Sequence, residues 1–248
     1  MKTNLASRSV SDIAANDFRK AGVFQKYGID FCCGGNLSLE AASQKAGISE
    51  GELRSALQLT ECEPVKPDNN FYKWTLAPLM DHIINVHHRY IRDNAMILMD
   101  FSHKVAGHFG KEQPELQKLE TRIHVAIETL MSHMDREERV LFPAIRQLAA
   151  LERSPQVTDK APFKFIPQAL AQMQLEHCSF REDLLSFRRH TRNYDLPEGV
   201  CNSYAFLINK LKEFEGNLKQ HMDLENNILF PKSIALLGNL SPRGISNS

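Results

Sequence analysis

Two eleven-residue runs hold the side chains best suited to chemistry. His133-Met-Asp-Arg-Glu137-Glu-Arg-Val-Leu-Phe-Pro143 and His221-Met-Asp-Leu-Glu225-Asn-Asn-Ile-Leu-Phe-Pro231 agree at seven of eleven positions, 88 residues apart. In both, imidazole and carboxylate are spaced His-x-x-x-Glu. On a helix that spacing puts them on one face, one turn apart, with about 6 Å between Cβ atoms, close enough to serve one metal cluster. Both runs end in Leu-Phe-Pro, where proline should end or kink the helix.

The elements that must position these groups follow from hydrophobic period. Four long helical patterns run roughly over Thr75 to Ala106, Glu115 to Ala150, Ile166 to Arg192 and Val200 to Leu237. Alternating steps of four and three give Leu119, Ile123, Ala126, Leu130, His133, Glu137 and Val140 on the second. The same count gives Ile166, Leu170, Met173, His177, Phe180, Leu184 and Phe187 on the third, and Leu207, Leu211, Phe214, Leu218, His221, Glu225 and Ile228 on the fourth. Histidine and glutamate thus interrupt apolar seams that carry no lysine or arginine. A buried carboxylate costs several kcal/mol, as an order of magnitude, unless a cation or donor compensates it. A metal would neutralise both glutamates and use the histidines as well. On the first helix Ile84, His88, Ile91, Ala95 and Leu98 share a stripe. His82 and His87 can be placed on adjacent faces, and His103 and His108 are not separated by period alone.

The remaining sequence sets the frame. The 248 residues have zero formal net charge, with histidine neutral, so neither nucleic acid nor an anionic membrane is expected as a partner. Neither a secretory signal nor a run of roughly 18 apolar residues is present, and the expected location is the cytoplasm. Five cysteines, Cys32, Cys33, Cys62, Cys178 and Cys201, are odd in number and irregular in spacing, which argues for reduced thiols. Residues 1–64 read as a small helical domain around a turn at Cys33-Gly34-Gly35-Asn36, with Ser49 capping a helix from Glu50. Residues 65–74 read as a linker, the proline-bearing stretch around Pro64 and Pro67 breaking the helical period, and 75–240 as an all-α, up-down-up-down four-helix bundle.

Taken together, Tyr27-Gly-Ile-Asp-Phe-Cys-Cys-Gly-Gly35, Asp81-His-Ile-Ile, His88, His108, Ser132-His-Met-Asp-Arg-Glu-Glu138, Glu176-His177 and the run from His221 to Pro231 resemble the hemerythrin-like di-iron proteins for repair of iron centres. The likeness covers almost the whole chain. It implies a hemerythrin-like bundle in which His88, His108, His133, His177 and His221 give nitrogen ligands and Glu137 and Glu225 bridge two irons, with an oxo or hydroxo group between them. Oxygen-carrying hemerythrins end on aspartate at a longer spacing than His221 to Glu225, so the resemblance does not extend to reversible oxygen transport.

Seven such ligands exceed the four of a tetrahedral zinc. Two six-coordinate ions offer about twelve positions, of which five imidazoles, two bridging carboxylates and one bridging oxygen would leave roughly one for a small ligand. The resemblance implies repair of iron–sulfur clusters damaged by nitric oxide or oxidants, by donated iron, with damaged iron–sulfur proteins as partners. A nitric-oxide or oxygen sensor or reductase on the same site, and a bundle whose metal only stabilises the fold, are the competing classes. Cys32 and Cys33 are candidate thiolates for iron or nitric oxide. Cys62, Cys178 and Cys201 read as packing residues, and the charges of Arg136, Glu138 and Arg139 as a solvated face. Self-association into a homodimer is compatible with the sequence and unsupported by spacing.

Overall fold

The computed structural model describes residues 9–10, 13, 20, 23–24, 26–29, 37–62, 71–151, 161–196 and 201–239. Cys32 and Cys33 lie outside them. The chain divides into two compact units, Met1–Thr75 with Asp223–Lys232, and Leu76–Met222 with Ser233–Ser248. Among the described residues the extended elements amount to an isolated antiparallel bridge between Ser9 and Ser38, and no helix is long and apolar enough to cross a membrane.

In the first unit, α1 (Leu39–Ala46) begins at Ser38, whose Oγ accepts from the Ala41 N–H at 3.1 Å, and ends at Gly47 in the left-handed region at φ 72°. α2 (Glu50–Cys62) is capped by Ser49, whose Oγ accepts from the Glu52 N–H at 3.1 Å, the cap its sequence position predicts. Their inner faces close over a small core of Val10, Ile13, Phe24, Leu39, Leu53 and Leu57. Lys232 of the same unit donates to the carbonyls of Tyr72 and Trp74, each at 2.6 Å.

Four long helices form the bundle. α3 runs through Leu76–His82, Ile83–His88 and Arg89–Phe109, and α4 through Glu115–Arg136, Glu137–Leu141 and Phe142–Leu151. α5 is Ile166–His190, and α6 runs through Asn202–Leu224, Glu225–Leu229 and Phe230–Asn239. α4 packs against both α3 and α5. Leu98, Leu119, Ile123, Leu130, Leu184 and Leu211 belong to one continuous apolar interior. The α3–α4 connection turns at Gly110, where a Cβ would sit 2.3 Å from the Ala106 carbonyl oxygen; only glycine allows that approach. At the α5 end, Arg192, Asn193 and Tyr194 all have positive φ. Buried Glu215 holds this turn, accepting from the Tyr194 hydroxyl at 2.6 Å and from Arg188 Nε and Nη2 at 2.7–3.0 Å.

Neither Pro143 nor Pro231 ends its helix. The middle segments of α3, α4 and α6 are π turns, in which Arg89, Phe142 and Phe230 donate to the carbonyls of Ile84, Glu137 and Glu225, five residues back. A π turn is wider than an α turn and relieves the clash between a proline ring and the carbonyl four residues before it. It also adds a residue to the turn and so resets the inner face. Val140, expected on the stripe, is exposed, and Leu141 is buried in its place. In α3 the same widening buries His87 and His88 together.

Candidate metal centre

His88, His133, Glu137, His177, His221 and Glu225 have essentially no solvent exposure. They form two groups that could each hold an ion: His88, Glu137, His221 and Glu225, and His133, Glu137, His177 and Glu225, with the ligand atoms of each group within 4.8 Å of one another. Both glutamates belong to both groups. The reason is local: one turn of helix separates His133 from Glu137 on α4 and His221 from Glu225 on α6, and the π turn starts at the glutamate.

Glu137 faces the two groups with different oxygens. Its Oε2 lies 3.4 Å from His88 Nε2 and 3.8 Å from His221 Nε2, and its Oε1 lies 3.2 Å from His133 Nε2. Nε2 atoms of His88 and His221 are 3.1 Å apart, and those of His133 and His177 3.2 Å apart. Neighbouring ligands of an octahedral ion, at metal distances of about 2.1 Å, sit about 3.0 Å from one another. The donors therefore already stand at the spacing that two metal ions need, and a carboxylate with one oxygen toward each pair is placed to bridge. Four imidazoles with two shared carboxylates suit a di-iron site and exceed what a single tetrahedral ion takes.

Electrostatics agree with this arrangement. Burial would push the Glu137 carboxyl up, but His133, His88 and His221 around it hold it well below the usual carboxylate range. Glu176 is lowered to about 2, first by the hydrogen bond from His133, then, against the opposing effect of burial, by Gln172 and Arg136. Glu138 is opposed by burial and lowered by Arg92 and His88.

The structure does not bring His108 to this centre. It is exposed at the end of Arg89–Phe109, its ring edge-on to Phe109 at 4.5 Å. At about 1.5 Å rise per residue, the 20 residues from His88 carry it about 30 Å along the helix. With four imidazoles instead of five, the same count of about twelve positions leaves roughly two open. His87, which the sequence lets fall on a face adjacent to the stripe, is buried with its ring 6.1 Å from and nearly parallel to that of His221, while His82 meets it edge-on at 5.5 Å. Neither joins the two ligand groups. Cys178, expected as a reduced packing residue, is disulfide-bonded, whereas Cys201 is exposed and free.

The sequence reading gave Arg92 and Glu176 no part in the site and took Arg136 and Glu138 for a solvated face, yet Glu138 and Glu176 touch ligand histidines from outside and each is held by one of these arginines. Glu138 Oε1 is 2.7 Å from His88 Nδ1 and accepts from Arg92 Nη1 at 2.8 Å. Glu176 Oε2 is 2.7 Å from His133 Nδ1 and accepts from Arg136 Nη2 at 2.5 Å. A signal existed: each carboxylate is the immediate neighbour of a ligand, and each arginine follows a ligand histidine by three or four residues.

Comparison with known proteins agrees with this picture. The chain is 28% identical over 232 residues to the "Probable iron-sulfur cluster repair protein" of Haemophilus influenzae, an alignment spanning 92% of this chain and 97% of that protein. It is likewise 28% identical over 228 residues to the "Iron-sulfur cluster repair protein YtfE" of Yersinia pestis, with the same coverage. Residues 6–61 match the ScdA_N family, described as a domain of unknown function. Residues 79–233 match the hemerythrin HHE cation binding domain, and with that match spanning more than half of its length the chain belongs to the hemerythrin HHE family.

Proposed function

We propose that this chain repairs iron–sulfur clusters damaged by nitric oxide or oxidants, donating iron that it holds in the bundle. The supporting observation is the pair of fully buried ligand groups that share Glu137 and Glu225, together with relatives of nearly equal length named for cluster repair. The chain's own residues would hold two ions: His88 and His221 one, His133 and His177 the other, with both glutamates common to the two groups. Their burial keeps water from competing for the ions, so release requires the ligands to open. Iron is cargo in this reading, and the recipients are iron–sulfur proteins in the cytoplasm. Cys32 and Cys33 offer soft thiolates for the transfer. Serine at both should lower repair and leave bundle iron in place; unchanged repair removes the thiols from the account.

The deciding assay treats an iron–sulfur hydro-lyase with nitric oxide and follows recovery of its activity after adding the iron-loaded protein. Wild type should restore activity, and a Glu137→Ala, Glu225→Ala variant should not. Equal recovery with both refutes iron donation. The two open positions left by four imidazoles favour a second reading, a nitric-oxide sensor or reductase. It requires a change in the optical spectrum when the reduced protein meets nitric oxide, and an unaltered spectrum excludes it. A homodimer is tested by light scattering on the eluting protein.

A further inference from the structure

We propose that Glu138 and Glu176 are positioning residues of the metal centre, each locking one imidazole of one ion group and so setting how long that ion stays bound. A carboxylate at 2.7 Å from Nδ1 of His88, and another at 2.7 Å from Nδ1 of His133, can only accept. The proton therefore sits on Nδ1 in both rings. Nε2, which faces Glu137 and the neighbouring Nε2 of the same group, is thereby the nitrogen left for an ion, in the orientation a metal ligand needs.

The two locks are built alike on different helix pairs. In one, His88 and Arg92 of α3 both donate to Glu138 of α4, which follows the shared ligand Glu137. In the other, His133 and Arg136 of α4 both donate to Glu176 of α5, which precedes the ligand His177. Gln172 adds a bond to Glu176 at 3.0 Å. The arginines hold each carboxylate from its outer side, Glu176 being 16% and Glu138 25% exposed, so neither swings into solvent freely. Glu138 acts on the group of His88 and His221, and Glu176 on the group of His133 and His177.

This inference rests on the centre holding two ions and not on the cluster-repair reading. Its test is anaerobic release of ferrous iron from the full-length protein to an excess of a coloured chelator. Wild type should carry two ions and release them slowly. In Glu138→Ala and in Glu176→Ala, one ion per chain should leave about 10- to 100-fold faster than in wild type, the usual range for losing such a partner. The double variant should release both quickly. Glu138→Gln and Glu176→Gln, whose amide oxygen still accepts from Nδ1, should fall between. Thermal unfolding of the metal-free variants separates positioning from folding, and their midpoints should stay near that of wild type. Wild-type release from both alanine variants overturns the proposal, as does faster release that merely tracks a lower midpoint. A wild type unable to hold two ions would instead refute the centre itself.

Discussion

Replacing Glu137 by glutamine should empty both ion positions, whereas replacing His177 by alanine should loosen only one. The asymmetry comes from the ligand groups: Glu137 is in both, and His177 is in the group with His133 alone. Glutamine keeps the shape and removes one negative charge facing both sets of nitrogens at 3.2–3.8 Å. One pair of unit charges about 4 Å apart, at an effective dielectric of about 20, interacts by about 4 kcal/mol, and a divalent ion has at least that much to lose. At about 1.4 kcal/mol per tenfold, affinity at each position should fall by roughly a thousandfold. Losing the His177 imidazole removes no carboxylate from either position and leaves the His88 group intact. Dialysis against graded chelator, metal analysis and circular dichroism for the fold would show zero iron in Glu137→Gln at a chelator strength where His177→Ala keeps about one. Two ions retained in Glu137→Gln at wild-type affinity, or both lost equally easily from His177→Ala, would refute the shared-carboxylate geometry.

Three further outcomes concern the frame. Deleting Val140 converts the π turn of α4 to an α turn and sets Pro143 against the carbonyl four residues back, which should cost the metal-free protein about 3 kcal/mol in urea unfolding. Most of that loss should vanish when Pro143→Ala is added, and strictly additive costs would count against the relief argument. Glu215→Gln should lower the thermal midpoint at pH 7 by several degrees, about 2 kcal/mol, through the loss of a nearly buried partner of Arg188, Lys219 and Tyr194. Burial would raise the Glu215 carboxyl, yet Arg188, Lys219 and Tyr194 depress it, so its contribution is present above the unfolded carboxylate range and lost as pH falls through the depressed value. The gap between variant and wild type should therefore close in scans below about pH 4, and a gap that persists there would contradict the assignment. Lys232→Met removes the donor to the Tyr72 and Trp74 carbonyls and should speed proteolytic cleavage beside Lys73; an unchanged cleavage rate would show that those bonds hold nothing in place.

Much of the bundle was legible because burial leaves a periodic trace. The stripes through His133, His177 and His221 are the buried faces, and the expected helix bounds depart from the observed ones by a few residues at most. Val140 and His87 were misplaced for one reason. A strict step of three and four presumes an unbroken α ladder, and each π turn inserts a residue at the very place where a ligand sits. Proline at 143 and 231 marked those places, though as a sign of termination and not of widening. His108 shows another limit: period assigns a residue to a face but not to a height. A residue 20 positions from His88 cannot share its metal however well it is oriented.

The outer carboxylates were illegible for a different reason, which bears on how such a centre is built. Glu138 and Glu176 are paired with histidines on neighbouring helices, and no one-dimensional spacing records a contact between residues 88 and 138 or 133 and 176. Their sequence neighbours do the ligating, so one short segment supplies both a ligand to the ions and an acceptor that orients a ligand on the next helix. Glu137-Glu138 reaches the shared position and His88 at once; Glu176-His177 reaches His133 and its own group at once. Moving α4 against α3, or α5 against α4, therefore disturbs a ligand and an orienting bond together. In the iron-donation reading, coupling the ligands to helix contacts would let small shifts between helices change affinity without unfolding the bundle.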